Sequence, residues 1–284
     1  WLLEDSSPAV KYRTITELID AQAYDKNQAK TNLCLALDQL KNPEWQINTK
    51  GLWLTYNLTA IAECGLTKQD VDIEAAVERY LSVDFDAGCG DAMGLRALIM
   101  LGYGNDEKVI KNLSLLSQSQ LPDGGFLCLH RLNKMKYTPK SCYKDNAIML
   151  MLFAECQKRD IPILNTEKLI DYFIRHHIFY KIDSQSLVLH SREGWRNIDT
   201  FYPFEVMRVG IQNIVESMSV LGYGNIKEME NAWGLLESQK DDDGRYRLSG
   251  TLTKSYLPKE KVNKASKWVT LYALLANKYK LQQL

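Results

Sequence analysis

One five-residue word restricts this chain more than any other feature. Leu101-Gly102-Tyr103-Gly104-Asn105 returns as Leu221-Gly222-Tyr223-Gly224-Asn225. Each copy follows an apolar stretch (GLRALIM, ESMSV) and precedes an amphipathic one (DEKVIKNLSLLSQ, IKEMENAWGLLESQ). Apolar residues in these flanks recur every three or four positions, the α-helical period. A Gln and a second turn lie downstream of each: Gln120 before Asp123-Gly124-Gly125-Phe126, and Gln239 before Asp243-Gly244-Arg245-Tyr246. A looser copy surrounds Gly65. The unit is therefore an apolar helix, a short Gly turn, an amphipathic helix and a longer loop.

Read along the chain, the unit predicts helix pairs over residues 8–22 with 26–40, 51–64 with 70–82, and 90–102 with 106–118. It continues over 142–157 with 165–178 and 203–221 with 226–239, and ends on an apolar helix over 265–278. One member of each pair is apolar nearly all round and needs burial, whereas its partner keeps one polar face. Stacked pairs of this kind bury each other's apolar faces. Six apolar helices are the number a closed ring wants. The expected fold is all-α: an α/α toroid of about six inner and five to six outer helices, one domain over residues 1–284. An open solenoid is the alternative arrangement.

Composition narrows the function classes. Lysine plus arginine is 35 and aspartate plus glutamate is 35, so the formal charge is zero. A dedicated nucleic-acid binder usually carries a basic surplus, so none is expected here. No apolar run approaches the roughly 20 residues that span a bilayer, so no transmembrane segment is expected. The six cysteines form no dense framework; Cys34, Cys64 and Cys156 sit in helical apolar patterns and read as small buried hydrophobes. A reducing cytoplasm fits that usage. There is no P-loop, no Rossmann glycine fingerprint and no Ser-His-Asp arrangement.

The pattern Gln…Asp-Gly-x-aromatic, placed after the outer helix in both copies, resembles the QW-type repeat of the terpenoid cyclases and protein prenyltransferases. The stretch from Cys89-Gly90-Asp91 to Phe126-Leu127-Cys128, and Lys264-Ala265-Ser266-Lys267-Trp268 before the last helix, are similar to bacterial squalene-cyclase-like, prenyltransferase-like proteins. The resemblance covers roughly residues 50–280 and implies an α/α toroid with an apolar central cavity for an isoprenoid chain. Taken alone, the Gln, Asp-Gly and aromatic residues of the repeat are structural staples: Asp-Gly is turn chemistry, and the aromatic packs on a neighbour.

In a closed toroid the inner-helix N-termini converge at one end, where free N–H groups favour an anion such as a diphosphate. Lys267, within the run Lys259, Lys261, Lys264 and Lys267, is the cation placed to hold one. Trp53, Tyr56, Tyr202 and Trp268 are the aromatic candidates for contact with an apolar ligand, alongside Met93, Met149 and Phe153. A protonation-initiated cyclase needs a carboxylic acid. Asp91 at the head of an inner helix is the candidate; Asp84-Phe85-Asp86 is a partial acidic motif, and Asp241-Asp242-Asp243 reads as a solvated turn. The resemblance to prenyltransferases also implies zinc, for which Cys128, His130 and Cys142 are the candidate ligands, with Cys89 and Asp145 as additions. His176-His177 reads as a helix C-terminal cap favoured by the dipole, and His190 sits in a polar loop. Two other functions stay open. One is a non-catalytic toroid acting as a binding module. The other is a carbohydrate-processing enzyme, with paired carboxylates drawn from Asp145, Asp199 and Glu205.

Overall fold

The computed structural model describes residues 1–37, 43–49, 51–128, 132–134, 139–180, 200–201, 209–250 and 260–282. Among them the fold is all-helical, with twelve α-helices and no strand. In chain order these are α1 (Pro8–Arg13), α2 (Ala23–Ala36), α3 (Pro43–Asn48), α4 (Leu52–Glu63), α5 (Glu74–Leu81) and α6 (Cys89–Met100). They continue as α7 (Glu107–Gln118), α8 (Tyr143–Lys158), α9 (Thr166–Arg175), α10 (Ile211–Val220), α11 (Glu230–Glu237) and α12 (Lys267–Leu281).

Burial divides the helices as their patterns predict. Every residue from Leu54 to Glu63 in α4, from Ala92 to Met100 in α6 and from Ile211 to Ser219 in α10 is buried. In α8 everything from Asp145 to Cys156 is buried as well. Their partners bury one stripe only: Ala76 and Val77 in α5, Val109, Leu113, Leu116 and Ser117 in α7, and Leu169, Ile170, Tyr172 and Phe173 in α9. The apolar helices pack in sequence, α4 on α6, α6 on α8, α8 on α10 and α10 on α12. From α12 the series passes to α1 and the π-helical turn Thr14–Leu18 that follows it. Arg13, the last residue of α1, then reaches Glu63, the last residue of α4, with Nη1 donating to Oε2 at 3.2 Å. Each polar-faced helix lies on its own partner: α2 on α1, α5 on α4, α7 on α6, α9 on α8 and α11 on α10.

The repeated word is a helix stop. Gly102 (φ +92°) and Gly222 (φ +96°) take the left-handed conformation that a side chain resists. In each copy the Gly N–H bonds the carbonyl three residues back, and the Tyr N–H bonds the one five back (Tyr103 to Leu98 and Tyr223 to Met218, both 2.9 Å). This is a Schellman stop, which satisfies orphan carbonyls at the helix end. Asp106 then caps α7 by accepting from the N–H groups of Lys108 and Val109 at 2.8 and 3.3 Å.

The downstream turns staple one repeat to the next. Asp123 accepts from the N–H groups of Gly125 and, through its other oxygen, Ser141, both at 3.1 Å, while Gln120 donates to the Gly124 carbonyl at 2.8 Å. The Phe126 N–H donates to Asn146 at the head of α8 at 2.6 Å. In the second copy the Tyr246 N–H donates to Thr270 in α12 at 2.9 Å. Asp241 supports this copy by accepting from Asp243 and Arg245, so the acidic run is a turn.

Three local expectations change. The helix expected over 8–22 ends in a π turn at Leu18, the short α3 lies outside the predicted pairs, and Cys34 is half-exposed rather than buried. His176 does cap α9, but not as the expected cation. Burial holds it below its ordinary value of 6.5, and its Nδ1 lies 2.6 Å from the Tyr180 carbonyl. A depressed histidine contributes stability above its unfolded value that is lost as pH falls below it. A set of melting curves from pH 8 to 5.5 is expected to decline below about pH 6.5, with a shallower decline in His176→Gln.

Candidate functional site

The head of α6 carries the main candidate. Asp91 is the third residue of this helix, and its Oδ2 accepts from the N–H groups of Asp86 at 3.0 Å and Gly88 at 3.3 Å. Burial raises the carboxyl above the usual aspartate value; the two N–H bonds oppose the rise, and the nearby Asp86 charge adds to it. Both bonds fall on Oδ2. Tyr80, from α5, donates its hydroxyl to the Asp91 carbonyl at 3.0 Å. Its phenol is held well above its ordinary value by burial and then by Asp91.

These groups border a half-open pocket of about 380 Å³ between α4, α5 and α6, within the range of small-molecule sites. Its walls are mostly apolar, with Leu52, Leu54, Tyr80, Val83 and Phe85. Its charged groups are Asp84, Asp86 and Asp91, and no lysine, arginine or histidine is among its described lining residues.

Two of the cysteines, Cys89 and Cys128, line the same pocket. A Cβ on Gly88 would lie 2.9 Å from the Cys128 Cβ, and the Cys128 N–H donates to Asp145 at 3.2 Å. Burial, followed by the Asp145 carboxylate, pushes the Cys89 thiol up to about 12. Without a metal that thiol holds its proton at neutral pH, the wrong form for a nucleophile. Cys142 is the residue before α8. His130 lies outside the described residues, and among those described no three His, Cys, Asp or Glu side chains form a group fit to hold a metal ion.

The aromatic and basic candidates separate. Tyr56 (5% exposed) and Trp268 (2%) are buried, whereas Trp53 has 52% of its surface exposed. The expected inward position of Trp53 is therefore corrected: it stands outside the core, edge-on to Tyr56 at 5.9 Å. Met93, Met149 and Phe153 are packed in the apolar core. Tyr202, His190, Asp199 and Glu205 lie outside the described residues. Asp145 is buried and bonded to the Cys128 N–H.

Lys267 and the N-terminus of α12 were expected to offer an anion site, but the protein's own carboxylates are there. Lys267 Nζ contacts Glu4 at 2.8 Å and Ser6 at 2.7 Å. Glu260 accepts from the Lys267 N–H at 2.7 Å and the Trp268 N–H at 3.4 Å. An internal carboxylate thus satisfies the orphan donors that a phosphate would otherwise use.

A second constellation escaped the sequence reading. Arg13 pairs with Glu17 (Nη2–Oε2 2.7 Å) and with Glu63. Glu63 also accepts from Arg96 and from the Tyr272 hydroxyl. Arg96 lies 4.0 Å from Glu155, and Lys158 lies 2.6 Å from Glu216. Burial opposes the charge of Arg13, but Glu17, Tyr272 and Glu63 outweigh it and hold the guanidinium well above its ordinary value. Each apolar helix contributes: Glu63 from α4, Arg96 from α6, Glu155 and Lys158 from α8, Glu216 from α10 and Tyr272 from α12. The signal was present as one charge inside each greasy stretch (LTAIAE, GLRALIM, MLFAEC, NIVES). Lone buried charges need partners, so those four were a set to be matched to one another.

Compared with known proteins, the chain matches no family model, no curated protein and no solved structure.

Proposed function

We propose that this chain is a single-domain α/α toroid of the terpenoid-cyclase and prenyltransferase type. On this reading it binds an isoprenoid-like apolar ligand in the pocket at the head of α6, with Asp91 as proton donor. The ordered packing of α4, α6, α8, α10, α12 and α1, together with the Arg13–Glu63 contact between α1 and α4, supports the ring. The shared ion network gives the same support, because one cluster touching every inner helix fits an axis around which they stand. The observation that carries the functional reading is the apolar pocket lined by a carboxyl that burial makes a weaker acid. A general acid must stand where it can deliver a proton to the ligand, and Asp91 lines this pocket.

Geraniol, an uncharged ten-carbon isoprenoid alcohol, is the first probe. By titration calorimetry it is expected to bind the intact protein and to bind Phe85→Ala about tenfold more weakly, the effect of losing much of one aromatic contact. Equal affinity in the variant would remove the pocket from the reading.

A non-catalytic binding module is the second reading, and one parallel favours it. Asn213 sits third in α10 and accepts from the Gly210 N–H at 3.1 Å, the capping role that Asp91 plays in α6 with no acidity at all. The same parallel makes Asp91→Asn a clean variant, since an amide keeps the cap and removes the proton. The enzyme reading expects Asp91→Asn to bind geraniol within about twofold of the parent, yet to lose any conversion of isoprenoid polyenes seen by mass spectrometry.

A further inference from the structure

The charge of the pocket selects the head group of its ligand. Resting on the reading that an apolar chain occupies this pocket, we infer that the ligand carries a cationic amine head, and not a phosphate or diphosphate. The pocket is apolar within, and Asp84 and Asp86 stand exposed at its edge. Neither carboxylate has an ion-pair partner among the described residues, so their charge is unspent on the protein itself. The third carboxylate, Asp91, sits in the first turn of α6 and accepts from the N–H groups of Gly88, just before the helix, and Asp86. A carboxylate thus already stands at the positive helix end that elsewhere attracts phosphate. The other place where sequence suggested a phosphate, the head of α12, is filled by Glu260 and Glu4.

An ammonium is charged at neutral pH and donates three hydrogen bonds. With its apolar tail between Leu54 and Phe85, it would meet Asp84 and Asp86 at the opening. A diphosphate in that position would meet the like charge of Asp84 and Asp86. The volume of about 380 Å³ suits a small amphiphile better than a folded partner.

Three probes with one tail test this: geranylamine, geraniol and geranyl diphosphate, titrated calorimetrically at low salt. Geranylamine is expected to bind at least about fivefold tighter than geraniol, and geranyl diphosphate at least about fivefold weaker. The amine advantage is expected to shrink at 0.5 M salt, where exposed charges are screened. In Asp84→Asn/Asp86→Asn it should fall to the affinity of geraniol, with geraniol itself unchanged. Both side chains are exposed, and the melting temperature of the double variant checks that the fold is intact. Diphosphate binding as tight as the amine overturns the inference, as does an amine advantage that survives the double substitution. Geraniol binding with no amine advantage overturns the head-group assignment alone. Failure of all three probes overturns it together with the pocket reading on which it rests.

Discussion

Glu63→Ala is expected to lower stability by about 3–5 kcal/mol, among the largest effects available to a single substitution. The Glu63 side chain is fully buried and is shared by two buried guanidinium groups and the Tyr272 hydroxyl. Removing it strips both guanidinium groups of a shared partner, and a poorly compensated buried charge costs far more than the pair itself contributes. Arg13 keeps Glu17 at 2.7 Å, while the ion pair left to Arg96 among the described residues is the longer one to Glu155 at 4.0 Å. Adding Arg96→Met to Glu63→Ala is therefore expected to recover part of the loss, because the stranded charge goes with its partner. Denaturant unfolding of the two variants and the parent measures both effects. A double variant less stable than Glu63→Ala would show that the cost lies in lost packing and not in stranded charge.

The second large effect concerns the repeated turn. Gly124 and Gly244 hold equivalent places, with φ of +84° and +76°. Alanine at either meets the left-handed penalty of about 1 kcal/mol. At Gly124 a Cβ would also lie 2.4 Å from the Lys168 carbonyl oxygen, a backbone atom of α9, whereas at Gly244 its nearest neighbour is the flexible Lys240 Cε at 3.8 Å. Gly124→Ala is thus expected to cost about 3 kcal/mol and Gly244→Ala about 1 kcal/mol, compared by urea unfolding under identical conditions. Equal losses would mean that the first turn yields to the clash by moving away from α9.

The helical hairpins were legible because their signal is local. A helix surrounded by other helices has no face on which to keep polar residues, so α4, α6 and α8 announce their burial in their own composition. The Gly102 and Gly222 stops and the Asp-Gly turns are equally local. What was not legible depends on distance in the chain. Trp53 sits in the same apolar pattern as Tyr56, and only the position of its helix in the assembly puts one outside and the other in. The carboxylates that meet Lys267, where an anion was expected, come from seven residues before (Glu260) and 263 residues before (Glu4). Asp91 was legible as a carboxylate at a helix head, but its bond to the Gly88 N–H, the role of a cap, needed coordinates.

The contact between Arg13 and Tyr272 spans 259 residues, and this sets the order of events while the chain is being made. At usual ribosomal speeds, on the order of ten to fifty seconds pass between the synthesis of the first residue and that of the second. Throughout that interval the nascent hairpins carry a guanidinium whose phenolic partner does not yet exist. Helices completed early must wait for the last one before their interior charges are fully matched, a delay in which a chaperone has the most to protect.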